Sequence, residues 1–238
     1  MPNKLIFDIE TIGEDFEQLD ETTKESLTRW IKKESRDEEG YSAALEELKN
    51  GLGFSPLTGE IVAIGVLDAD QEKGAVYYQH PHHQGEENEE NGIKLKAFSE
   101  KEMLEKFWEL AKQYDEFVTF NGRSFDVPFL MVRSAINGIR PSKDLLSNRY
   151  VSLQKFGAKH IDLLDQLTFY GAVYRNRGSL HMWTRAFGIA SPKADGVTGD
   201  DVGRLFKEGK FVAIARYNIG DLRATRALYQ YWEKYLRF

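Results

Sequence analysis

Two carboxylates near the start of the chain stand in a setting that favours metal chemistry. Asp8 and Glu10 follow an apolar run at residues 5–7, which is typical of a buried strand. Because Ile9 continues the strand alternation, both carboxylates lie on one face, where they repel each other unless a cation lies between them. Acidic pairs also occur in solvated turns, which is the structural alternative. Burial without a partner would be costly, so the pattern predicts a divalent-cation site.

A third carboxylate, Asp126, follows a second apolar run at residues 117–120 and an Asn121-Gly122 turn. The segment predicts a strand, a turn and then a helix with Pro128 in its first turn. Asp126 could simply cap that helix. The functional alternative uses the same geometry, since sites of α/β proteins form at the carboxyl ends of sheet strands.

The fourth carboxylate, Asp221, stands four residues after Tyr217 in a long helical pattern. Residues at this spacing share a helix face, with Cβ atoms roughly 5–6 Å apart. An ordinary surface pair of tyrosine and aspartate has the same spacing. The three acidic segments are therefore more informative together than separately.

Composition limits the kinds of metal and of protein. The chain has 238 residues, no cysteine and a net charge of −6, so a metal must be bound through oxygen or imidazole, which favours Mg²⁺ or Mn²⁺. No stretch approaches the roughly 18–20 apolar residues that span a bilayer, and no signal segment precedes the first strand. We expect a soluble, cytoplasmic protein with no membrane partner.

The predicted elements form one α/β domain over residues 1–238. The first strand covers 4–9, and the spacing of apolar residues predicts two amphipathic helices inserted at about 14–50. Strands at 61–67 and 75–78 complete an antiparallel meander, and 80–92 is predicted to be an exposed loop. A capping box at Ser99 and Glu102 begins a helix before the strand at 117–120. Most of the remaining chain is predicted to be helical, in segments at 127–137, 163–171, 179–187, 199–206 and 211–235.

Together these segments resemble the DEDD superfamily of 3′–5′ exonucleases, the DnaQ-like branch of the ribonuclease H-like fold. Asp8-Ile-Glu10 matches its first motif, Asn121-Gly-x-x-Phe-Asp126 its second, and Tyr217-x-x-x-Asp221 its third in the tyrosine (DEDDy) form. The similarity is greatest to exonuclease domains of family B DNA polymerases, and includes residues 55–65 and 160–165. It implies a mixed sheet, an antiparallel meander plus parallel strands, flanked by helices.

The resemblance also implies roles. Two Mg²⁺ or Mn²⁺ ions would be bound by Asp8, Glu10, Asp126 and Asp221, with Asp8 bridging both, and Tyr217 would orient the attacking water. A phenol with a pKa near 10 is a poor general base, so water activation falls to the metals. The expected reaction is hydrolysis at the 3′ end of DNA, with single strands as the expected substrate, releasing nucleoside 5′-monophosphates.

Substrate and partner assignments are broader. Backbone and aromatic groups near Thr11, Ile12, Asn121 and Phe125 are the expected contacts of the terminal nucleotide, although Phe125 also fits a core position. Further candidates for nucleic-acid contact are Arg123, Lys193 and the segment 174–177. RNA as substrate, and a noncatalytic nucleic-acid-binding or partner-docking domain, are the alternatives. A polymerase or repair protein is a possible partner.

Overall fold

The fold is built around a seven-stranded mixed sheet. The computed structural model describes residues 2–82, 87–173, 178–190 and 198–237. The strands are β1 (Lys4–Gly13), β2 (Gly59–Asp68), β3 (Gly74–Tyr78), β4 (Glu87–Glu90), β5 (Ile93–Ala97), β6 (Glu116–Thr119) and β7 (Lys159–Asp162).

Eight α-helices surround the sheet in the described ranges. They are α1 (Glu21–Glu34), α2 (Glu38–Gly51), α3 (Glu100–Ala111), α4 (Asp126–Ile136), α5 (Leu163–Leu167), α6 (Leu180–Ala186), α7 (Val202–Lys207) and α8 (Phe211–Tyr235). Short 3₁₀ turns include Leu52–Phe54, which follows α2 directly.

The strand order is β4-β5-β3-β2-β1-β6-β7. β1, β2 and β3 pair antiparallel, as the predicted meander requires. β6 and β7 extend the sheet in parallel with β1, and β5 pairs parallel with β3. The predicted α/β fold class, with an antiparallel meander plus parallel strands between helices, is therefore confirmed.

Strand alternation divides the core between the two faces of the sheet. On β1, Phe7 and Ile9 point to a cluster that includes α3 and α4, whereas Ile6 belongs to a cluster that includes α7 and α8. Side chains that alternate along a strand leave on opposite faces, so Asp8 and Glu10 share the face of Ile6. The first two acidic residues consequently face α8.

One prediction about the loops was wrong. Residues 80–92 do not form only an exposed loop, because β4 lies within them and pairs antiparallel with β5. Asn91 and Gly92 join the two strands with positive φ values of 51° and 80°. Asn-Gly is the sequence preferred in two-residue hairpin turns with positive φ at both positions. The hairpin signal was present, and the high charge of the tract obscured it.

Other boundaries differ by less. The short strand β7 was not predicted, and the helix predicted at 163–171 is interrupted after Leu167. Phe169 and Tyr170 adopt positive φ values of 49° and 56° there, which the α-helix does not allow.

The two helices predicted within 14–50 are present as α1 and α2. Asp20 and Asp37 cap them by accepting hydrogen bonds from the backbone N–H groups of Thr23 and Gly40. Their amphipathic spacing leaves most of both helices exposed, while Ile31 is fully buried. Whether this region is an insertion in a single domain stays a prediction.

None of the helices among the described residues combines the length and the apolar character that crossing a membrane requires.

Candidate active site

Strand β1 and helix α8 bring three carboxylates together. Asp8, Glu10 and Asp221 each offer an oxygen, and these oxygens all lie within 4.8 Å of one another. We call these three residues the carboxylate cluster. In the described part of the chain it is the one group of acidic or histidine side chains with metal-ligand spacing. Hard divalent cations prefer such oxygen ligands.

Asn218, which lies on α8, contacts two members of this cluster. Its Nδ2 donates hydrogen bonds to Asp8 Oδ2 at 2.8 Å and to Glu10 Oε1 at 3.2 Å. The side chain is fully buried, and its Oδ1 has no hydrogen-bond partner among the described residues. An amide that donates to two carboxylates fixes their orientation and partly offsets their repulsion.

Gly65 makes the close approach of Asn218 possible. It pairs with Asp8 across the β1–β2 ladder and so lies beneath α8. A Cβ atom added at Gly65 would lie 1.8 Å from Asn218 Oδ1 and 2.7 Å from Leu222 Cδ1. A side chain at position 65 would therefore push α8 away from the sheet.

Asp126 approaches the cluster from the loop after β6. It is the first residue of α4, and Phe125 occupies the N-cap without a side-chain capping bond. The Oδ1 of Asp126 instead accepts a hydrogen bond from the backbone N–H of Ile9 at 3.1 Å, between the two carboxylates of β1. The observed bond fits a carboxylate directed at the cluster better than the capping alternative.

Burial and mutual repulsion dominate the electrostatics. The pKa values of Asp8 and Glu10 lie well above their usual range, chiefly because burial penalises their charged forms. The next cause is the negative charge of Asp126 for Asp8 and of Asp221 for Glu10. Burial, with the charges of Asp162 and Asp221, raises the pKa of Asp126 to about 7, against the lowering effect of the Ile9 hydrogen bond.

These properties fit a bound divalent cation. The cluster concentrates negative charge that a cation would neutralise, and its donor atoms are all carboxylate oxygens. Within the described ranges the hydrogen-bond donor to both β1 carboxylates is a neutral amide, that of Asn218. The cluster therefore leaves most of its charge for a metal to balance.

Tyr217 lies one helical turn before Asp221 and is partly buried beside the cluster. Burial raises its pKa well above 10, and the charges of Asp221, Glu10 and Asp8 and a hydrogen bond to Asp221 act in the same direction. A phenol in this environment stays protonated at neutral pH. The protonated hydroxyl group can donate a hydrogen bond, and it cannot act as a general base.

Asp162, at the end of β7, organises the loop that carries Asn121. Its two oxygens accept hydrogen bonds from the backbone N–H groups of Asn121 at 2.9 Å and Arg123 at 3.0 Å. Asn121 adopts a left-handed φ of 65°, a conformation that asparagine tolerates better than most residues. Asp162 had no predicted role, although the segment 160–165 belongs to the resemblance.

His160 anchors the same loop from within the core. Its Nε2 lies 2.8 Å from Thr119 Oγ1 and its Nδ1 lies 3.1 Å from the carbonyl oxygen of Leu145. Burial lowers the pKa of His160 to about 3, so the ring is neutral. Gly122 fits closely over this pair, because an added Cβ would lie 2.3 Å from Thr119 Oγ1.

The expected substrate contacts lie around the end of β1. Thr11 donates from Oγ1 to the carbonyl oxygen of Gly53 at 2.7 Å, and Ile12 is partly buried against the core on the α8 side of the sheet. Phe125 is partly buried and packs against Phe129, with ring centroids 5.3 Å apart. Their roles in binding stay predictions.

Three further candidates for nucleic-acid contact were Arg123, Lys193 and the segment 174–177. The guanidinium of Arg123 donates to the carbonyl oxygens of Leu145 and Leu146, both at 3.3 Å, which gives it a structural task. Lys193 and the segment 174–177 lie outside the described residues.

Comparisons with known proteins relate the chain to family B DNA polymerases. DNA polymerase 1 of Sulfolobus acidocaldarius is 26% identical over 135 residues, which cover 53% of this chain and 15% of that polymerase. The structure of the family B DNA polymerase of the hyperthermophilic archaeon Pyrobaculum calidifontis superposes with a TM-score of 0.58 at 16% identity, over 98% of this chain and 25% of that one. The latter likeness concerns the fold alone. This chain thus spans a minor part of both polymerases.

A family model described as a predicted 3′–5′ exonuclease related to the exonuclease domain of PolB matches residues 58–236. The matched range includes Asp126, Tyr217 and Asp221 and begins after β1. Asp8 and Glu10 therefore lie outside the match, and the packing of α8 on the sheet brings Asp221 close to them. Because the match covers well over half of the sequence, the chain belongs to this family of predicted PolB-related 3′–5′ exonucleases.

Proposed function

We propose that this protein is a metal-dependent 3′–5′ exonuclease that hydrolyses phosphodiester bonds at the 3′ end of DNA, with single strands as the preferred substrate. The products would be nucleoside 5′-monophosphates. The observation that carries the proposal is the convergence of carboxylate oxygens of Asp8 and Glu10, on β1, and of Asp221, on α8, within 4.8 Å of one another. Membership of the exonuclease family supports the same reaction.

The carboxylates would bind two Mg²⁺ or Mn²⁺ ions. Asp8, centrally placed between α8 and the Asp126 loop, would contact both, with Glu10 and Asp221 completing one site and Asp126 supporting the other. Two cations in such a site lower the pKa of an attacking water and stabilise charge on the leaving oxygen. The buried amide of Asn218 keeps the β1 carboxylates oriented for this task.

Tyr217 would orient the attacking water by a hydrogen bond, in the tyrosine (DEDDy) form of the third motif. Its raised pKa supports a donor that remains protonated through the reaction. Asn121, held in position by Asp162, and the backbone near Thr11 and Ile12 would contact the terminal nucleotide.

We propose DNA over RNA as the substrate because the two polymerases compared above are DNA polymerases by name. The same similarity supports a polymerase or repair protein as partner. Proteins discriminate between DNA and RNA mainly through contacts with the 2′-hydroxyl group. The relative rates of hydrolysis of matched DNA and RNA strands measure this discrimination.

The test is a gel time course with matched 5′-labelled single-stranded DNA and RNA. Each strand is incubated with Mg²⁺, Mn²⁺ or EDTA, using the wild type and Asp221→Ala. A metal-dependent ladder that shortens from the 3′ end, faster on DNA and absent in the variant, is expected. Intact strands with both metals would refute the exonuclease activity. Full turnover by Asp221→Ala would refute the assignment of the active site. A ladder that forms faster on RNA than on DNA would identify RNA as the preferred substrate.

A further inference from the structure

An exposed aromatic side chain stands beside the candidate active site, outside the three acidic motifs. Phe54, at the end of the 3₁₀ turn after α2, has 63% of its surface exposed. Its ring packs against Phe125, with centroids 6.3 Å apart, and Phe125 immediately precedes Asp126. Because Phe125 packs in turn on the buried Phe129, the three rings form a row that leads from the core to the surface.

The backbone that carries Phe54 is fixed to β1. Thr11 Oγ1 donates to the carbonyl oxygen of Gly53, and Thr58 Oγ1 donates at 2.8 Å to that of Leu52. Gly53 lies so close to β1 that an added Cβ would be 2.9 Å from the backbone nitrogen of Gly13. Phe54 is thus presented by a fixed turn, tied to the strand that carries Asp8 and Glu10.

A second glycine contact strengthens this attachment. An added Cβ at Gly13 would lie 2.7 Å from Leu52 Cβ and 2.8 Å from the backbone nitrogen of Gly53. Such close backbone contact is possible only where side chains are missing. The helical segment α1–α2 is therefore connected to β1 next to Phe54.

We propose that Phe54 is a substrate-binding residue whose ring stacks on an unpaired base upstream of the scissile phosphate. This inference rests on the proposed function. Phe125 lies next to Asp126, so Phe54, one ring farther out, is suited to a nucleotide on the 5′ side of the terminal one. Bases stack on aromatic side chains regardless of sequence, because every base has a π face.

The geometry also selects the class of substrate. A base within a duplex already has both faces covered by its neighbours, whereas an unpaired base can offer a face to Phe54. Phe54 would therefore favour single-stranded or frayed 3′ ends. The family match begins at residue 58, so the turn with Phe54 is a feature of this chain outside that match.

The first experiment compares two substrates that differ only in upstream nucleotides. Single-stranded DNA offers a base at the upstream position, whereas the methyl ester of thymidine 5′-monophosphate carries the terminal nucleotide and no aromatic group upstream. For Phe54→Ala we expect kcat/KM to fall roughly 10- to 100-fold on the oligonucleotide and to change less than about twofold on the ester. Phe54→Trp should retain the oligonucleotide rate, and Phe54→Leu should behave like Phe54→Ala while preserving apolar packing.

Leu57→Ala is the matched control, because Leu57 is 75% exposed three residues after Phe54 and its replacement should change neither rate. A strand with one abasic nucleotide locates the contact. The wild type should lose rate when the abasic nucleotide occupies the stacked position, and Phe54→Ala should be insensitive there. An unchanged oligonucleotide rate, or an equal loss on the ester, would overturn the proposal.

Binding separates this inference from the proposed function. Fluorescence anisotropy with a labelled single strand in Ca²⁺ measures affinity without requiring turnover. If the wild type hydrolyses neither substrate, the exonuclease proposal fails. A weaker affinity of Phe54→Ala than of Leu57→Ala would still support stacking, and equal affinities would refute it.

Discussion

The carboxyl group of Asp126 provides a quantitative test of the electrostatics beside the carboxylate cluster. Its pKa is raised from 3.8 to about 7, chiefly by burial, so the metal-free folded protein keeps a proton that the unfolded chain has lost. A raised pKa in the folded state gives stability that is complete below 3.8 and is lost as the pH rises through about 7. In the metal-free protein this group should therefore lower the free energy of unfolding as the pH rises from about 4 to about 7.

The magnitude follows from proton linkage. With a folded pKa of about 7, Asp126 lowers the free energy of unfolding by roughly 2 kcal/mol between about pH 5.5 and about pH 8.0. His160 acts oppositely, because its pKa is lowered from 6.5 to about 3 and its contribution is lost as the pH falls. Asp8 and Glu10, whose pKa values are also raised, act in the same direction as Asp126, so the Asp126 part must be isolated by a variant.

Asp126→Asn isolates that part. The asparagine Oδ1 can still accept the hydrogen bond from Ile9, while the titrating group is removed and the contribution of His160 is unchanged. Urea unfolding in EDTA should show the wild type losing roughly 2 kcal/mol more than the variant between about pH 5.5 and about pH 8.0. Saturating Mn²⁺ should stabilise the wild type more at the higher pH, because it binds the ionised carboxylates. Parallel pH profiles of the two proteins in EDTA would refute the reasoning.

Three further predictions concern single side chains. Tyr217→Phe should slow hydrolysis by about tenfold, since one hydrogen bond of about 1.4 kcal/mol is lost, with no change in metal-dependent stabilisation; single-turnover rates and melting curves with Mn²⁺ check this. Gly65→Ala should destabilise the protein by about 1–3 kcal/mol and abolish hydrolysis, because the methyl group displaces Asn218; urea unfolding and the gel assay measure both, and a fully active variant would contradict the packing argument. Arg133→Met should cost about 3–5 kcal/mol in urea unfolding, since it leaves the buried Glu100 without its bidentate partner, and a smaller loss in Arg133→Met combined with Glu100→Gln would identify the unpaired charge as the cause.

The alternation of side chains explains why much of the site could be predicted. A period of two residues placed Asp8 and Glu10 on one face of β1, and a spacing of four placed Tyr217 and Asp221 on one face of α8. Local sequence determines these relations. The fold class follows from the same patterns, and the turn at Asn91-Gly92 between β4 and β5 is a further local signal.

The supporting residues could not be predicted because their roles depend on distant partners. Asn218 holds two carboxylates only because Gly65, far away in the chain, has no side chain. Asp162 acts through backbone groups of another loop, and it resembles an ordinary helix cap in the sequence. Phe54 acquires its position from glycine contacts between β1 and the turn after α2, which no periodicity reveals.

The hydrogen bond between Asn218 and Asp8 joins residues 210 positions apart. Contacts so distant in sequence form late, because a long loop must close before they contribute. A nascent chain that has not yet reached α8 would carry Asp8, Glu10 and Asp126 without Asp221 or the amide that orients them. Synthesis itself would therefore delay nuclease competence until α8 docks on the sheet, and proteolysis that removes α8 would leave a sheet without a complete metal site.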